Sequence, residues 1–224
     1  MKLVSAIMPT RGRQKWARQA MRSFMAQTYE PKELVILDDA DDLSYPDADQ
    51  MPELKYFMAI RSIKYYMSVG PQCSIPEKRN WCCEMASGKI VIHWDSDDWS
   101  APNRIADQVQ RLEESDKAMT GYNSILFYEE QTAIWGRYVL DNVSAFGTSL
   151  CYRKSWWMDH PFDEALTIGE DNRAVMIAGG EQQFVTADGT SMMVARVHAG
   201  NTSHKDMGNC RPIDPAIIPK GFPL

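Results

Sequence analysis

The stretch Ile90-Val-Ile-His-Trp-Asp-Ser-Asp-Asp-Trp99 joins a short apolar run to three carboxylates, those of Asp95, Asp97 and Asp98. The apolar part is typical of a buried strand, and the acids follow where that strand ends. Ligands of an open α/β sheet bind beyond the carboxyl ends of its strands, and carboxylates there can hold a divalent cation against phosphate groups. The stretch therefore predicts an α/β sheet with an acidic, cation-binding edge, and it points to an enzyme.

The first 115 residues of the chain alternate between strand-like and helix-like segments. Short apolar runs predict strands at residues 3–8, 33–37, 63–68 and 89–94. Helical patterning, with a proline or glycine at some of the ends, predicts helices at residues 14–26, 76–86 and 102–115. Strands that alternate with helices indicate a mostly parallel sheet with right-handed crossovers.

The second half of the chain has a different pattern. It predicts one helix, at residues 170–178, and strands at residues 118–127, 133–139, 148–153, 183–187 and 192–197. From Asn201 onward the sequence is polar and rich in proline, so we expect a tail that packs over the surface or is partly disordered. We expect a single domain with two halves, residues 1–117 and 118–224.

Composition sets the broad class of the protein. The 224 residues are 44% hydrophobic and 24% charged, which is typical of a globular chain rather than a disordered one. No apolar run approaches the roughly 18 to 20 residues that span a bilayer, and the first residues lack the design of a signal peptide. We therefore expect a soluble, cytoplasmic protein.

Cysteine use and charge narrow the class further. The five cysteines show no CxxC spacing, which favours reduced and mostly buried thiols over disulfides or a zinc site; they are Cys73, Cys82, Cys83, Cys151 and Cys210. The formal net charge of −6 argues weakly against binding of nucleic acid by bulk electrostatics, although a local basic groove stays open.

Several motifs occur in one order along the chain. They are Val4-Ser-Ala-Ile-Met-Pro-Thr-Arg-Gly-Arg13, Ser23-Phe-Met-Ala-Gln-Thr-Tyr29, Glu33-Leu-Val-Ile-Leu-Asp-Asp39, Lys78-Arg-Asn80, Ala86-Ser-Gly88 and His93-Trp-Asp-Ser-Asp-Asp-Trp99. In order and spacing this series resembles the family 2 glycosyltransferases of the GT-A fold. The resemblance is dense over about the first 115 residues and continues more thinly at Gly169-Glu-Asp171 and His198-Ala-Gly-Asn-Thr-Ser203.

The resemblance implies both a fold and an activity. The fold would be α/β, with a Rossmann-like, mostly parallel central sheet flanked by helices and a smaller mixed region on the acceptor side. Residues 1–117 would bind a nucleotide sugar, and residues 118–224 would face the acceptor. The activity would be metal-dependent, inverting transfer of a sugar from a nucleoside-diphosphate sugar, with a UDP-sugar as the main candidate, to an acceptor hydroxyl. The cofactor would be Mn²⁺ or Mg²⁺.

The metal site that the resemblance implies uses Asp97 and His198. A bound cation would stabilise the charge that develops on the leaving diphosphate. Asp95 would face the ribose or the metal shell, and Ser96 belongs to the same donor-binding motif. His204 is a weaker alternative to His198. Asp98, with Ser100, could instead cap the helix that Pro102 opens.

The nucleoside side of the implied site begins at the ends of the first two strands. Asp39 would accept hydrogen bonds from the base or the ribose, and Pro9 and Thr10 would line the pocket. Arg11 and Arg13 could pair with phosphate oxygens or lie as solvated surface charges. The acids around Asp39 have a plainer interpretation as solvated loop residues; they are Asp38, Asp41 and Asp42.

Lys78, Arg79 and Asn80 follow near the start of a predicted helix. The two cations would lie beside the diphosphate and add to its stabilisation, or they would form a solvated helix face. Asn80 would bond within the site or cap locally. Asp171 matches the family's general base, which takes the proton of the acceptor hydroxyl, and its neighbour Glu170 could hold that role instead. The helix dipole alone also favours acids in a first turn.

Aromatic residues flank the acid cluster. Core packing explains most of the tryptophans, including Trp94, Trp156 and Trp157, whereas Trp99 is the best candidate for a platform that stacks on a sugar or base. We interpret His93 as part of the strand's packing.

Two other functions compete with sugar transfer. A nucleotidyltransferase would also have an acidic metal site, but Pro9-Thr-Arg-Gly-Arg13 is a poor match to its glycine-rich phosphate loop. A non-catalytic nucleotide-sugar-binding module would not need intact acids at both positions. The acceptor stays open among a soluble or lipid-linked glycan, a protein and a modified DNA base. For DNA, the only modest basic cluster is formed by the residues at positions 61, 64, 78 and 79.

Overall fold

A computed structural model of the chain describes residues 1–40, 62–68, 70–202 and 207–223. Within these ranges ten strands form one sheet. The strands are β1 (Val4–Thr10), β2 (Lys32–Asp38), β3 (Ile63–Met67), β4 (Ile90–His93), β5 (Trp99–Ser100), β6 (Met119–Glu129), β7 (Ile134–Val139), β8 (Cys151–Arg153), β9 (Phe184–Asp188) and β10 (Met193–Val197).

Five α-helices lie in the same ranges. They are α1 (Gln14–Met25), α2 (Ile75–Met85), α3 (Arg104–Ser115), α4 (Lys154–Asp159) and α5 (Glu170–Gly180). Single turns of 3₁₀ helix occur at Gly147–Ser149, Met207–Asn209 and Pro215–Ile217. None of the described helices is long and apolar enough to cross a bilayer.

The sheet combines a parallel half with a mixed half. Its path runs β3-β2-β1-β4-β8-β6-β10-β5, and the first four strands are parallel to one another. The short strand β8 then runs antiparallel to both β4 and β6, while β9 and β10 pair with β6 in parallel. The prediction of a mostly parallel α/β sheet with a mixed second half is confirmed.

Helices cover both faces of the parallel half. Phe24 of α1 and Ile105 of α3 pack with Met8 in one buried cluster, and Cys82 of α2 and Val175 of α5 pack with Ile7 in another. Alternate residues of β1 therefore enter different clusters, which explains why its sequence is a continuous apolar run rather than an alternating one. All strands of this half present their carboxyl ends to one edge, where the candidate site lies.

Two elements, α4 and β5, are not predicted by the sequence. Helix α4 has only six residues, too few for a helical period, although it buries Trp156 and Trp157 as core residues. Strand β5 has two residues, and part of the predicted strand 148–153 is a 3₁₀ turn. The described part of the tail packs on the surface, where Phe222 is buried.

The cysteines agree with the expectation of reduced thiols. All five are free, and Cys82, Cys83 and Cys151 are buried. Burial raises the pKa of the Cys83 thiol to about 12, and it raises the pKa of Cys151 to about 12 as well. These thiols are therefore protonated core residues rather than nucleophiles.

Candidate active site

A cavity of about 580 Å³ opens at the carboxyl ends of β1 and β4. The end of β1, the segment after β4 and the start of α5 all reach it, as do β6 and β10. Seven of the residues predicted for the site line this cavity: Pro9, Arg13, Arg79, Asp95, Ser96, Asp97 and Asp171. The chain thus brings residues from widely separated motifs to one place.

One oxygen of Asp97 is the centre of a polar cluster. The Nη1 of Arg13 donates to Asp97 Oδ2 at 2.8 Å, and His198 Nε2 lies 3.1 Å from the same oxygen. Asn201 Nδ2 approaches that oxygen at 3.3 Å. The predicted pair of Asp97 and His198 is therefore in contact, although 101 positions separate the two residues.

Trp16 and Asn201 fix the His198 ring. The indole of Trp16 stacks on the imidazole, with ring centroids 5.8 Å apart and an interplanar angle of 21°. Asn201 Oδ1 accepts the His198 backbone N–H at 2.7 Å. Sequence reasoning assigned neither residue a role in the site. In the sequence, Trp16 is one of the regularly spaced apolar residues of a helix and carries no further signal. Asn201 lies within the motif His198-Ala-Gly-Asn-Thr-Ser203, which could have indicated a role in the site.

Asp98 is buried and joins three segments. Its Oδ2 accepts the Thr148 hydroxyl at 2.7 Å, and its Oδ1 accepts the Arg196 backbone N–H at 3.1 Å. The alternative of a helix cap is wrong, because Asn103 is the N-cap of α3 and makes no side-chain cap bond. Asp98 instead ties the acid cluster to β10 and to the 3₁₀ turn.

Arg79 is buried among three carboxylates. It pairs with Glu170, and its guanidinium nitrogens lie 3.5 Å from Asp95 Oδ1 and 3.9 Å from Asp171 Oδ2. Within the described ranges its Nε has no hydrogen-bond partner. Burial opposes the Arg79 charge, but Asp95, Glu170 and Asp171 hold its pKa above the ordinary value. Burial also raises the pKa of Glu170, and Arg79 offsets only part of that effect.

Asp171 rests directly against the backbone of Gly147. A Cβ built on Gly147 would lie 1.5 Å from Asp171 Oδ2 and 2.4 Å from its Cγ. The carbonyl of Gly147 accepts the Nδ1–H of the buried His93 at 2.7 Å. Burial lowers the pKa of His93 well below its ordinary value, so the ring is neutral and holds this turn in place. The expectation that His93 is a packing residue agrees with this contact.

Lys78 does not line the cavity. Its Nζ lies 2.5 Å from Asp39 Oδ1 and donates to the Thr10 carbonyl at 3.1 Å, and both charged side chains are almost fully buried. Asp39 Oδ2 accepts the Cys73 N–H at 2.9 Å. The structure corrects the expectation that Lys78 lies beside the diphosphate, because its charge is directed to Asp39 and away from the cavity lining.

Three other residues at these strand ends do not line the cavity. Thr10 is buried, and its hydroxyl donates to Ser96 at 3.1 Å. Arg11 is exposed and lies outside the cavity lining. Asp38 is buried rather than solvated, because it accepts the Gly12 N–H at 2.9 Å and the Tyr65 hydroxyl at 2.6 Å. Predictions for the residues at positions 41, 42, 61 and 204 fall outside the described residues.

Two predicted donor-binding residues belong to the scaffold. Asn80 donates to the Phe162 carbonyl at 2.8 Å and to Glu164 Oε1 at 2.9 Å, and its Oδ1 accepts the Trp157 indole N–H at 3.1 Å. Trp99 packs in an apolar cluster, with its ring centroid 6.4 Å from that of Phe222. The structure corrects both assignments, because the Asn80 amide is engaged in hydrogen bonds that hold α2 and the Trp99 ring packs in the hydrophobic core.

The model of the glycosyl transferase family 2 matches residues 5–169, which is more than half of the chain. The chain belongs to glycosyl transferase family 2. An uncharacterized glycosyltransferase of Rickettsia conorii is 31% identical over 116 residues, and this match covers 50% of the present chain and 17% of that relative. The chain thus corresponds to only a small part of the curated relative's length.

Solved structures share the fold of this family 2 chain. TarS of S. aureus in complex with UDP-GlcNAc is 19% identical, with a TM-score of 0.69 over 90% of this chain and 60% of that chain. The mannosyltransferase PcManGT of Pyrobaculum calidifontis, in complex with GDP-Man and Mn²⁺, is 14% identical, with a TM-score of 0.67 over 90% and 59% of the two chains. These neighbours are GT-A glycosyltransferases, so the predicted fold is confirmed.

The side chains around Asp97 in this family 2 chain suit a divalent cation. A carboxylate oxygen and an imidazole nitrogen meet at 3.1 Å, which is a donor pair that Mn²⁺ accepts. The Arg13 guanidinium on the same oxygen indicates that the position favours positive charge. No cluster of three or more His, Cys, Asp or Glu side chains that could hold a metal occurs among the described residues. A cation here would therefore need further ligands from the donor or from water.

Proposed function

We propose that this chain is a metal-dependent inverting glycosyltransferase that moves a sugar from a nucleoside-diphosphate sugar to an acceptor hydroxyl. The observation that carries the proposal is that one cavity is lined both by Asp97, in contact with His198, and by Asp171. The first pair suits a cation beside a diphosphate, and the second position suits a base beside an acceptor. A module that only binds a nucleotide sugar would need the pair of Asp97 and His198 but not Asp171.

Asp97 and His198 would hold Mn²⁺ or Mg²⁺ at the donor diphosphate. A cation bound there would stabilise the negative charge of the leaving group as a Lewis acid. Arg13 lies at the same edge of the cavity, and its guanidinium matches phosphate oxygens well. With a cation held by Asp97, Arg13 would be available to the diphosphate.

Asp171 would be the general base. Its side chain lines the cavity at the start of α5, where it is partly exposed, so an acceptor can reach it. Glu170 is less suited to that role because it is buried and paired with Arg79. A carboxylate that takes the acceptor proton while the oxygen attacks opposite the leaving group gives inversion at the anomeric carbon.

Asp39 would hold the nucleoside. Lys78 pairs with it and fixes it after the end of β2, next to the end of β1. We propose a UDP-sugar as the donor, since TarS was solved with UDP and with UDP-GlcNAc. PcManGT was solved with GDP-Man, so guanosine donors are the alternative to test. The cytoplasmic location stays a prediction of the sequence.

Thermal unfolding with nucleotides and Mn²⁺ tests the donor site. A ligand at 100 times its Kd stabilises the fold by about 2.7 kcal/mol, which is measurable as a rise in Tm. We expect UDP with Mn²⁺ to raise the Tm of the wild type and to have much less effect on Asp97→Asn. Asp116→Asn is the matched control, because the Asp116 side chain is 99% exposed. Absence of a response to every uridine and guanosine compound would contradict the proposal.

A further inference from the structure

The acceptor end of the cavity has an apolar wall. It consists of Phe127 on β6, Tyr138 on β7, and Leu140 and Phe146 in the segment that follows. The ring centroids of Phe127 and Tyr138 are 5.3 Å apart, those of Phe127 and Phe146 are 5.6 Å apart, and those of Tyr138 and Phe146 are 5.5 Å apart. Tyr138 and Phe146 are only half-buried, so the wall is accessible from the cavity.

Strand register explains why these side chains share a face. Tyr138 lies opposite Ile125 in the β6–β7 pair, and Phe127 lies opposite Ala195 in the β6–β10 pair. Ile125 and Phe127 are two positions apart on β6, so they point to the same side of the sheet. Ile125 and Ala195 also line the cavity, and the apolar surface therefore extends across three strands.

The apolar wall reaches the proposed base. Phe146 immediately precedes Gly147, and the Asp171 carboxylate rests against Gly147. A molecule that packs on Phe146 would therefore present its edge to Asp171. This is the position that an acceptor hydroxyl needs during transfer.

The charges of the described residues that line the cavity disfavour an anionic acceptor. Among the described residues that line it, the cations are Arg13 and Arg79, and the anions are Asp95, Asp97, Glu170 and Asp171. Arg13 pairs with Asp97 and Arg79 pairs with Glu170. No lining cation lies at the apolar wall within the described ranges, and like charges repel strongly where water is partly excluded.

From this arrangement we infer that the acceptor is a neutral saccharide, whose pyranose ring packs its C–H face on the apolar wall and points a hydroxyl at Asp171. The inference rests on the proposed function and adds the acceptor class to it. In the transfer step the acceptor oxygen forms a bond to the anomeric carbon. The bond from that carbon to the diphosphate breaks with its electron pair on the diphosphate, and the acceptor proton moves to Asp171.

A panel of acceptors tests the inference with the full chain and Mn²⁺. The donors are UDP-glucose, UDP-galactose, UDP-GlcNAc and GDP-mannose. The acceptors are neutral oligosaccharides, the corresponding sugar phosphates, single-stranded DNA with hydroxymethylated bases, and a synthetic polyol phosphate. We expect products, detected by mass spectrometry, only with neutral saccharides.

Leu140→Lys is the decisive variant, because it places a cation on the apolar wall without touching Asp171 or Asp97. We expect it to raise the KM of the neutral acceptor about tenfold, as loss of a hydrophobic subsite contact does. Ile134→Lys is the matched control, since Ile134 is 53% exposed on the same hairpin and does not line the cavity. Phe146→Leu keeps the wall apolar but removes the ring, and it should raise the acceptor KM by between about two- and tenfold through loss of ring contacts.

Donor binding separates the two possible failures. If no nucleotide raises the Tm and no donor is consumed, the proposed function fails and the inference fails with it. If a donor binds but transfer occurs only to phosphorylated acceptors, or to none of the neutral saccharides, the inference alone is overturned. An unchanged acceptor KM in both Leu140→Lys and Phe146→Leu would overturn it as well.

Discussion

Gly147→Ala should disable the proposed base without damaging the donor site. The added Cβ would lie 1.5 Å from Asp171 Oδ2, so the carboxylate must move by about 2 Å to reach the ordinary contact distance of 3.4 Å. Displacement of a reacting group by about 1 Å can cost about 100-fold in rate. We therefore expect kcat to fall by at least about 100-fold, which corresponds to about 2.7 kcal/mol in the activation free energy.

The fold should tolerate this substitution. Gly147 has no positive φ, and the Asp171 carboxylate, which is the nearest group to the new Cβ, belongs to a side chain that is 23% exposed and can turn away. The Asp171 Cβ, 2.8 Å from the new Cβ, cannot turn away, so the backbone must also shift slightly. Gly179→Ala is the matched control because nothing lies within 4 Å of its Cβ position, and alanine is the better residue inside a helix. The control should keep kcat, and its stability should rise by up to about 1 kcal/mol.

Steady-state kinetics and a double variant test the mechanism. If Gly147 acts only through Asp171, Gly147→Ala should cost nothing further in an Asp171→Asn background, because the two residues share one function. The donor KM and the Tm shift with UDP and Mn²⁺ should stay at their wild-type values. A folded Gly147→Ala variant with kcat within twofold of the wild type, or with lost donor binding and normal kcat, would refute the reasoning.

Three further predictions concern single contacts. Asp171→Asn should lower kcat by at least about 100-fold and leave the nucleotide-dependent Tm shift intact; full transfer would mean that another base operates. Trp16→Leu should weaken Mn²⁺ binding about tenfold in titration calorimetry because His198 loses its stacked partner, as removal of an outer-shell contact does; an unchanged Mn²⁺ affinity would argue against this role. Burial alone would raise the pKa of Glu33, but Lys64 and two hydrogen bonds hold that pKa below the ordinary value. The charged Glu33 therefore stabilises the fold above pH 4.5, and this stabilisation is lost as pH falls through the folded-state pKa. Glu33→Gln should flatten urea-unfolding stability against pH in that acidic window, and an unchanged slope would contradict the assignment.

The sequence predicted those features that depend on one segment at a time. Apolar runs identified the strands of the parallel half, and the acids after them had to meet at one edge because parallel strands present their carboxyl ends together. The contact between Asp97 and His198 cannot be predicted from one segment, because it depends on how β10 packs in the sheet. The resemblance to the family predicted that the two residues pair, whereas no pattern within either segment predicts it.

The contacts that escaped prediction depend on packing between distant segments. Lys78 resembles a phosphate-binding residue in its motif, but its side chain is directed to Asp39 and the Thr10 carbonyl, whereas its neighbour Arg79 on the same helix lines the cavity. Gly147 carries no local signal, since its φ is ordinary and its importance comes from the Asp171 side chain beside it. Trp99 lies next to the acids in sequence, yet its strand turns the ring toward Phe222.

The Asp98 side chain connects the segment that contacts the proposed base to the segment that leads to His198. Its carboxylate binds Thr148, which follows Gly147, and it also binds the backbone of Arg196, two residues before His198. The acid cluster, the turn that contacts the proposed base and the strand that leads to His198 are therefore fixed by one buried side chain. Since a buried carboxylate is costly without such partners, its burial makes sense only when all three segments are in place. The proposed donor site and the proposed base are thus built together, as in-line transfer between them would require.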